Sequence, residues 1–144
     1  MRIEQLNKAT SARLRMIDAD ATIHAAAHSL STPGIGLVIV CGYGGKLAGV
    51  LSKSDLIRHL ASREALASVE ALMTRNVVSC TPDEDVHAVW QIMAAQGLKN
   101  VPVLDSTALP IGILEIGDAM KALFEQEELQ EQMLTNYIAG VGYR

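Results

Sequence analysis

Aromatic side chains are scarce: one Trp, one Phe and three Tyr make up 3% of 144 residues. Apolar residues nevertheless reach 49%, so any interior is aliphatic, built from Val, Ile, Leu, Ala and Met. A chain this long forms one ordinary domain or two small ones sharing a core. Basic residues are in deficit, 12 against 16 acidic, for a formal charge of −4 and a pI near 5.5. That balance argues against a general nucleic-acid binder, which needs a basic stripe to neutralise phosphates. No run approaches the roughly 18 apolar residues of a membrane helix. The opening MRIEQLNKATSARLRM lacks the apolar stretch of a signal peptide. Only Cys41 and Cys80 are present, and their separation fits no metal or redox spacing. The expectation is a cytoplasmic protein without nucleic-acid or membrane partners.

What is present is a repeat. His24 lies over His87 at an offset of 63 (87 − 24), and that offset holds without a gap. It carries Asp20 onto Asp83, Gly34 onto Gly97, Val38 onto Val101 and Val40 onto Val103. Further along, Gly49 meets Gly112, Leu51 meets Leu114 and Asp55 meets Asp118.

Each unit reads as β-α-β-β-α. In the second, Asn76–Cys80 is extended, and Thr81-Pro82-Asp83-Glu84 has the form of a capping box with Pro at the first helical position. Val86, Val89, Trp90 and Met93 then recur at helical spacing, and Gly97 supplies a left-handed stop. Two apolar runs, Val101–Leu104 and Ile111–Leu114, flank the turn-rich Asp105–Pro110. A last helix opens near Asp118. The first unit follows with a strand near Leu14–Ile17, a helix at Asp20–Leu30, strands at Leu37–Val40 and Leu47–Leu51, and a helix from Ser54. Ser62–Met73 links them and contains a short helix. The predicted class is α+β: two units packed sheet to sheet with pseudo-twofold symmetry, plus a C-terminal amphipathic helix. The predicted boundaries are 1–66, 67–124 and 125–144.

The segments Leu72-Met73-Thr74-Arg75-Asn76-Val77-Val78, Thr81-Pro82, Gly97-Leu98-Lys99-Asn100-Val101-Pro102-Val103 and Gly112-Ile113-Leu114 resemble a CBS domain. So does Gly49-Val50-Leu51-Ser52-Lys53-Ser54-Asp55 in the first unit. The resemblance covers roughly residues 10 to 124, and its strength lies in the ordered, repeated set. It implies a Bateman module, usually paired into a disc-like homodimer, with ligand clefts between the two domains. It implies adenosine ligands: AMP, ADP or ATP, sometimes NADH or S-adenosylmethionine. Asp55 and Asp118 would bind ribose, with Ser52 three residues before Asp55 reaching ribose or phosphate. Val77 and Val78, with Lys99, Asn100, Val101 and Pro102, would hold the base.

Physical chemistry tests these roles. A carboxylate at a helix start accepts hydrogen bonds from vicinal hydroxyls while the helix N-terminus stabilises its charge. Ser52, Lys53 and Ser54 add hydroxyls and an ammonium beside Asp55, where helix amides also seat phosphate. Asp55 reads equally as a plain helix cap. The second copy places Glu115 where the first has Ser52, which repels phosphate and removes a hydroxyl donor. A phosphorylated ligand is therefore expected in the Asp55 cleft, with the Asp118 cleft empty or holding adenosine alone. On the base side, Gly36-Leu37-Val38-Ile39 lacks the proline of the second copy. Lys53, Arg58, Arg75 and Lys99 are candidate phosphate partners or merely solvated.

Other signals are weaker. Gly42-Tyr43-Gly44-Gly45-Lys46 lacks Walker A spacing and lies between strands, so it reads as a hairpin turn. His24 and His28 are four apart on a helix but lack a third ligand, and no metal is expected. Trp90 reads as core or dimer interface rather than a base-stacking platform. Phe124–Ile138 continues the last helix with Leu129, Met133, Leu134, Tyr137 and Ile138 to one side, a face for a dimer mate or a separate effector protein. Gly140–Arg144 reads as a loose end. With no acid–base or nucleophile pair at useful spacing, a non-enzymatic regulatory module is expected. The alternative is a dimeric interaction scaffold with vestigial clefts.

Overall fold

A computed structural model describes residues 1–62 and 68–139. Residues 63–67, which hold the expected 66/67 boundary, and Gly140–Arg144, expected as a loose end, lie outside the described residues. The chain starts with a 3-10 turn at Ile3–Leu6 running into α1 (Asn7–Ala12). Then come β1 (Met16–Asp18), α2 (Ile23–Leu30), β2 (Leu37–Cys41), β3 (Leu47–Ser52), α3 (Lys53–Ser62) and α4 (Val69–Leu72). The second half holds α5 (Val86–Gln96), β4 (Asn100–Leu104), β5 (Pro110–Glu115) and α6 (Ile116–Ile138).

The 63-residue offset is a structural symmetry. β1 runs parallel to β2 with Ile17 opposite Val40, and Cys80 forms a parallel bridge to Val103, the same pair one repeat on. The β2–β3 and β4–β5 hairpins share their register, Ile39 opposite Val50 and Pro102 opposite Ile113. Both slip at the same place, after Val40 and after Val103. The Asn76–Cys80 strand thus shrinks to a single bridge at Cys80. The chain turns there because Thr81–Asp85 is tied to the N-terminal segment: Ile3 and Glu4 donate backbone hydrogen bonds to Glu84 and Pro82, and Val86 donates to Met1.

That tie also relocates a helix start. Thr81 and Glu84 make the capping-box contact, the Glu84 carboxylate accepting the Thr81 amide at 2.5 Å, but inside a turn. The helix itself begins at Val86 with Asp85 as its cap, accepting the Ala88 amide at 3.0 Å. Gly97 closes it in the left-handed conformation, φ 66° and ψ 29°. Tyr43–Gly45 forms the tight turn between β2 and β3. α6 continues unbroken from the second unit through Ile138, and the side chains named on its C-terminal half are exposed.

Each unit has its own aliphatic core. Ala26, Val40, Leu51, Val69 and Met73 form one; Cys80, Val86, Val89, Met93, Val101, Val103, Leu114 and Ala119, joined by Ile3, form the other. Trp90 packs against the second with its ring 5.7 Å from His87. Between the units, Ile113 packs among Leu37, Ile39, Cys41 and Val50. β2 is consequently buried along both faces, which explains its unbroken apolar run.

The leaders of the two repeats are exchanged. The segment before the second repeat lies on the last strand of the first, where Val50 and Thr74 trade backbone hydrogen bonds of 2.9 and 2.8 Å. The segment before the first repeat lies on the last strand of the second. A Cβ on Gly112 would stand 2.9 Å from Thr10 Cβ, and one on Gly49 would stand 2.8 Å from Met73 Sδ and the Thr74 carbonyl. Met73 and Thr10 are themselves related by the offset. Both strands need glycine there for close approach of the other chain segment.

Candidate functional site

The β3–α3 junction builds one wall of a cleft. Ser52 ends the strand, and its amide and hydroxyl donate to Asp55 Oδ2 at 2.8 and 3.0 Å. The Asp55 amide in turn donates to Ser52 Oγ at 3.3 Å. Arg58, one turn along the same helix, donates to Asp55 Oδ1 at 2.6 Å. The Asp55 side chain is 10% exposed while that of Arg58 is 75% exposed, so the carboxylate is fixed and the guanidinium stands in water.

These residues face a cavity of about 560 Å³ between the two units. Ser52, Lys53, Ser54, Asp55 and Arg58 line it from the first unit, with Gly36 and Leu37 from the start of β2. Thr74, Asn76, Val77 and Val78 from the second leader close another side, and Gln96 to Asn100 with Pro102 complete it. Of the residues expected at a ligand, the structure brings together Ser52, Lys53, Ser54, Asp55, Val77, Val78, Lys99, Asn100 and Pro102. Val101 is not among them. It is fully buried in the core of the second unit, because alternation along β4 turns Asn100 and Pro102 one way and Val101 the other.

Lys53, Arg58 and Lys99 against Asp55 give the lining an excess of positive charge. In a chain of net charge −4, that is a local reversal suited to an anion. Arg75 does not line the cavity; it pairs with Glu70 at 3.4 Å on the surface.

Asp118, the counterpart of Asp55, lies elsewhere and is already engaged. Arg13 Nε and Nη2 donate to its two oxygens at 2.6 and 3.1 Å, and Arg13 Nη1 donates to the Gly34 carbonyl at 2.5 Å. The Asp118 carboxylate raises the pKa of the guanidinium above its usual value through that hydrogen bond, against the opposing effect of burial. Glu115 caps α6 by accepting the amides of Gly117 and Asp118 at 2.7 and 3.1 Å. It stands 3.7 Å from Arg13.

Sequence reasoning missed Arg13, which sits in a leader without periodicity and acts across 105 residues of chain. One signal was available: the offset places Arg13 over Asn76, a cation over a neutral amide. It also missed Thr74 and Gln96, which line the cavity through placement rather than chemistry. Among the described residues there is no cluster of three or more His, Cys, Asp or Glu suited to a metal. None of the described helices is long and apolar enough to cross a membrane.

Two β-α-β-β-α units about a pseudo-twofold axis, with a cleft between them, define a paired-domain module. Residues 8–62 and 69–125 each match the CBS domain, and the chain belongs to that family as a tandem pair. It is similar to an uncharacterized 17.7 kDa protein of Acidianus ambivalens, 22% identical over 138 residues, covering 96% of this chain and 84% of that one. Among solved structures it is similar to a CBS-domain-containing protein of Agrobacterium tumefaciens, 28% identical with a TM-score of 0.74, covering 85% of this chain and 98% of that one. It is also similar to the CBS domain pair of protein MJ0100, 26% identical with a TM-score of 0.76, covering 88% of this chain and 98% of that one. That pair was solved in complex with 5′-methylthioadenosine and S-adenosyl-L-methionine.

Proposed function

We propose that this chain is a non-enzymatic regulatory module that binds a phosphorylated adenosine nucleotide, AMP, ADP or ATP, in the cleft at Asp55. In this reading it pairs as a homodimer and passes ligand occupancy to a separate partner. The observation that carries it is the cavity of about 560 Å³ with Asp55 and three cations on its walls, within the roughly 300–1,000 Å³ of ligand clefts. The Asp55 carboxylate accepts ribose hydroxyls, Lys53, Arg58 and Lys99 neutralise phosphate, and Val77, Val78 and Pro102 give the base an apolar slot. Similarity to a domain pair that holds two adenosine-containing ligands supports the class. The positive lining favours a phosphorylated member over S-adenosylmethionine.

The scaffold reading draws on one fact: Ser52 and Arg58 already bond the Asp55 carboxylate. The Ser52 amide and hydroxyl and Arg58 fill three of a carboxylate's about four acceptor positions, and Arg58, 75% exposed, releases another as it turns to phosphate. Signalling requires the ligand to bind two shapes of the module unequally.

Isothermal titration with AMP and ATP tests the assignment. Asp55→Ala is expected to weaken AMP binding at least tenfold, the order of one lost charge-assisted hydrogen-bond set at about 1.5–3 kcal/mol. Asp118→Ala is expected to leave AMP affinity within about threefold, a difference well under 1 kcal/mol. Equal losses in the two variants would overturn the choice of cleft. No heat and no thermal shift with any adenosine ligand would favour the scaffold.

A further inference from the structure

The Asp55 cavity and the equivalent place at Asp118 differ at several positions, among them Ser52 against Glu115, Lys53 against Ile116 and Asn76 against Arg13. The offset carries Asn76, on the wall of the Asp55 cavity, onto Arg13. It also carries Asp55 onto Asp118 and Gly97, another wall residue, onto Gly34. Arg13 reaches across between those last two, holding both Asp118 oxygens at 2.6 and 3.1 Å and the Gly34 carbonyl at 2.5 Å. A planar guanidinium forked on a carboxylate, with a third bond to a carbonyl, is fixed in one orientation. The Arg13 and Asp118 side chains are 26% and 24% exposed, so the pair is partly shielded from water.

We propose that Arg13 is the built-in occupant of the second cleft, so that each chain binds one nucleotide rather than two. Its guanidinium holds both Asp118 oxygens and spans to the Gly34 carbonyl, filling the space a ribose would need, whereas Arg58 holds one Asp55 oxygen and is 75% exposed. What the second cleft would accept without Arg13 follows from the groups left there. Glu115 and Asp118 are two carboxylates where the first cleft has Ser52 and Asp55. A phosphate meets like charge beside them, whereas ribose hydroxyls meet acceptors. The vacated cleft therefore takes an uncharged nucleoside and refuses its phosphate ester. The inference rests on the nucleotide reading above and adds its stoichiometry.

The full chain and Arg13→Asn, which installs the residue type of Asn76, are titrated calorimetrically with adenosine and with AMP. One site per chain is expected for both ligands in the original chain. Arg13→Asn is expected to show two sites for adenosine and one for AMP, since the offset puts Ile116 and Gly36 where the first cleft has Lys53 and Lys99. Arg13→Lys keeps a cation at Asp118 without the fork that also spans to Gly34. It serves where R13N fails to fold, and its second adenosine site is expected at least tenfold weaker than the first. Two AMP per original chain, or a single adenosine site in every folded Arg13 variant, overturns the inference. Adenosine bound by R13N alone refutes the Asp55 assignment and upholds Arg13, while binding by neither protein overturns both.

Discussion

Gly49→Ala probes the contact on which the exchange of leaders depends. The new methyl would lie 2.8 Å from both Met73 Sδ and the Thr74 carbonyl, and 2.9 Å from Met73 Cγ. Met73 could swing aside, although it is buried in the first core. The Thr74 carbonyl cannot move without disturbing the paired hydrogen bonds to Val50 at 2.9 and 2.8 Å. Overpacking of this kind costs about 1–3 kcal/mol, and weakening two backbone hydrogen bonds adds up to about 1 kcal/mol each. Loss of unfolded-chain freedom on replacing glycine offsets about 0.4–1 kcal/mol. The net expectation is a destabilisation of about 2–3 kcal/mol, or roughly 5–10 °C in Tm for a chain of this size. Equilibrium urea unfolding measures it. Gly44→Ala is the contrast, since nothing lies within 4 Å and only its φ of 70° opposes a side chain; that strain alone is about 1–2 kcal/mol. Since Thr74 also lines the cavity, Gly49→Ala is expected to weaken AMP binding while Gly44→Ala does not. A Gly49→Ala protein within 0.5 kcal/mol of the original would refute the packing argument.

Burial raises the Cys80 thiol to about 12 from 9.0, with the Glu84 charge adding to it. Because the folded value is the higher one, this contribution is intact below pH 9 and is lost as pH rises from 9 toward 12. It amounts to at most on the order of 3–4 kcal/mol. Urea midpoints between pH 8 and 11 are expected to fall more steeply for the original chain than for Cys80→Ala, and parallel decline would count against it. Asp85 works in the opposite direction: the Ala88 amide, with help from the N-terminal ammonium, holds its carboxyl below the usual range. Its contribution is present above the ordinary Asp value and lost as pH falls through the lowered one. Thermal melts of Asp85→Ala are expected below those of the original chain at pH 7 and to converge with them in acid. A gap that persists at low pH would show that the cap's charge is not responsible.

The repeat was legible because its evidence is a register. Glycines and buried valines recur 63 residues apart, and the structure pairs Val40 and Val103 identically with Ile17 and Cys80. The hairpins and the Gly97 stop follow from local chemistry, which is short-range and readable. The start of α5 was misread for a tertiary reason. Thr81-Pro82-Asp83-Glu84 has the right letters for a cap, but backbone bonds donated by Ile3 and Glu4 hold that stretch outside the helix, and Val86 donates to the Met1 carbonyl where the helix starts. Lys53 to Asp55 were visible as a strand-to-helix junction, whereas Arg13 acts on Asp118 and Gly34 through contacts that only the fold creates.

The exchange of leaders also bears on how the chain reaches its fold. The first repeat lacks Met73 and Thr74 until the second leader is in place, and the second lacks Ile3 and Thr10 unless the first leader has stayed free to dock. The second leader's contacts are 24 residues apart, Val50 with Thr74, but the first leader's join residues more than 70 positions apart, such as Ile3 with Glu84 and Arg13 with Asp118. High contact order of this kind slows folding, because loop closure precedes the reward. It leaves neither repeat a self-sufficient folding unit: two halves expressed apart would each miss a piece that the other carries.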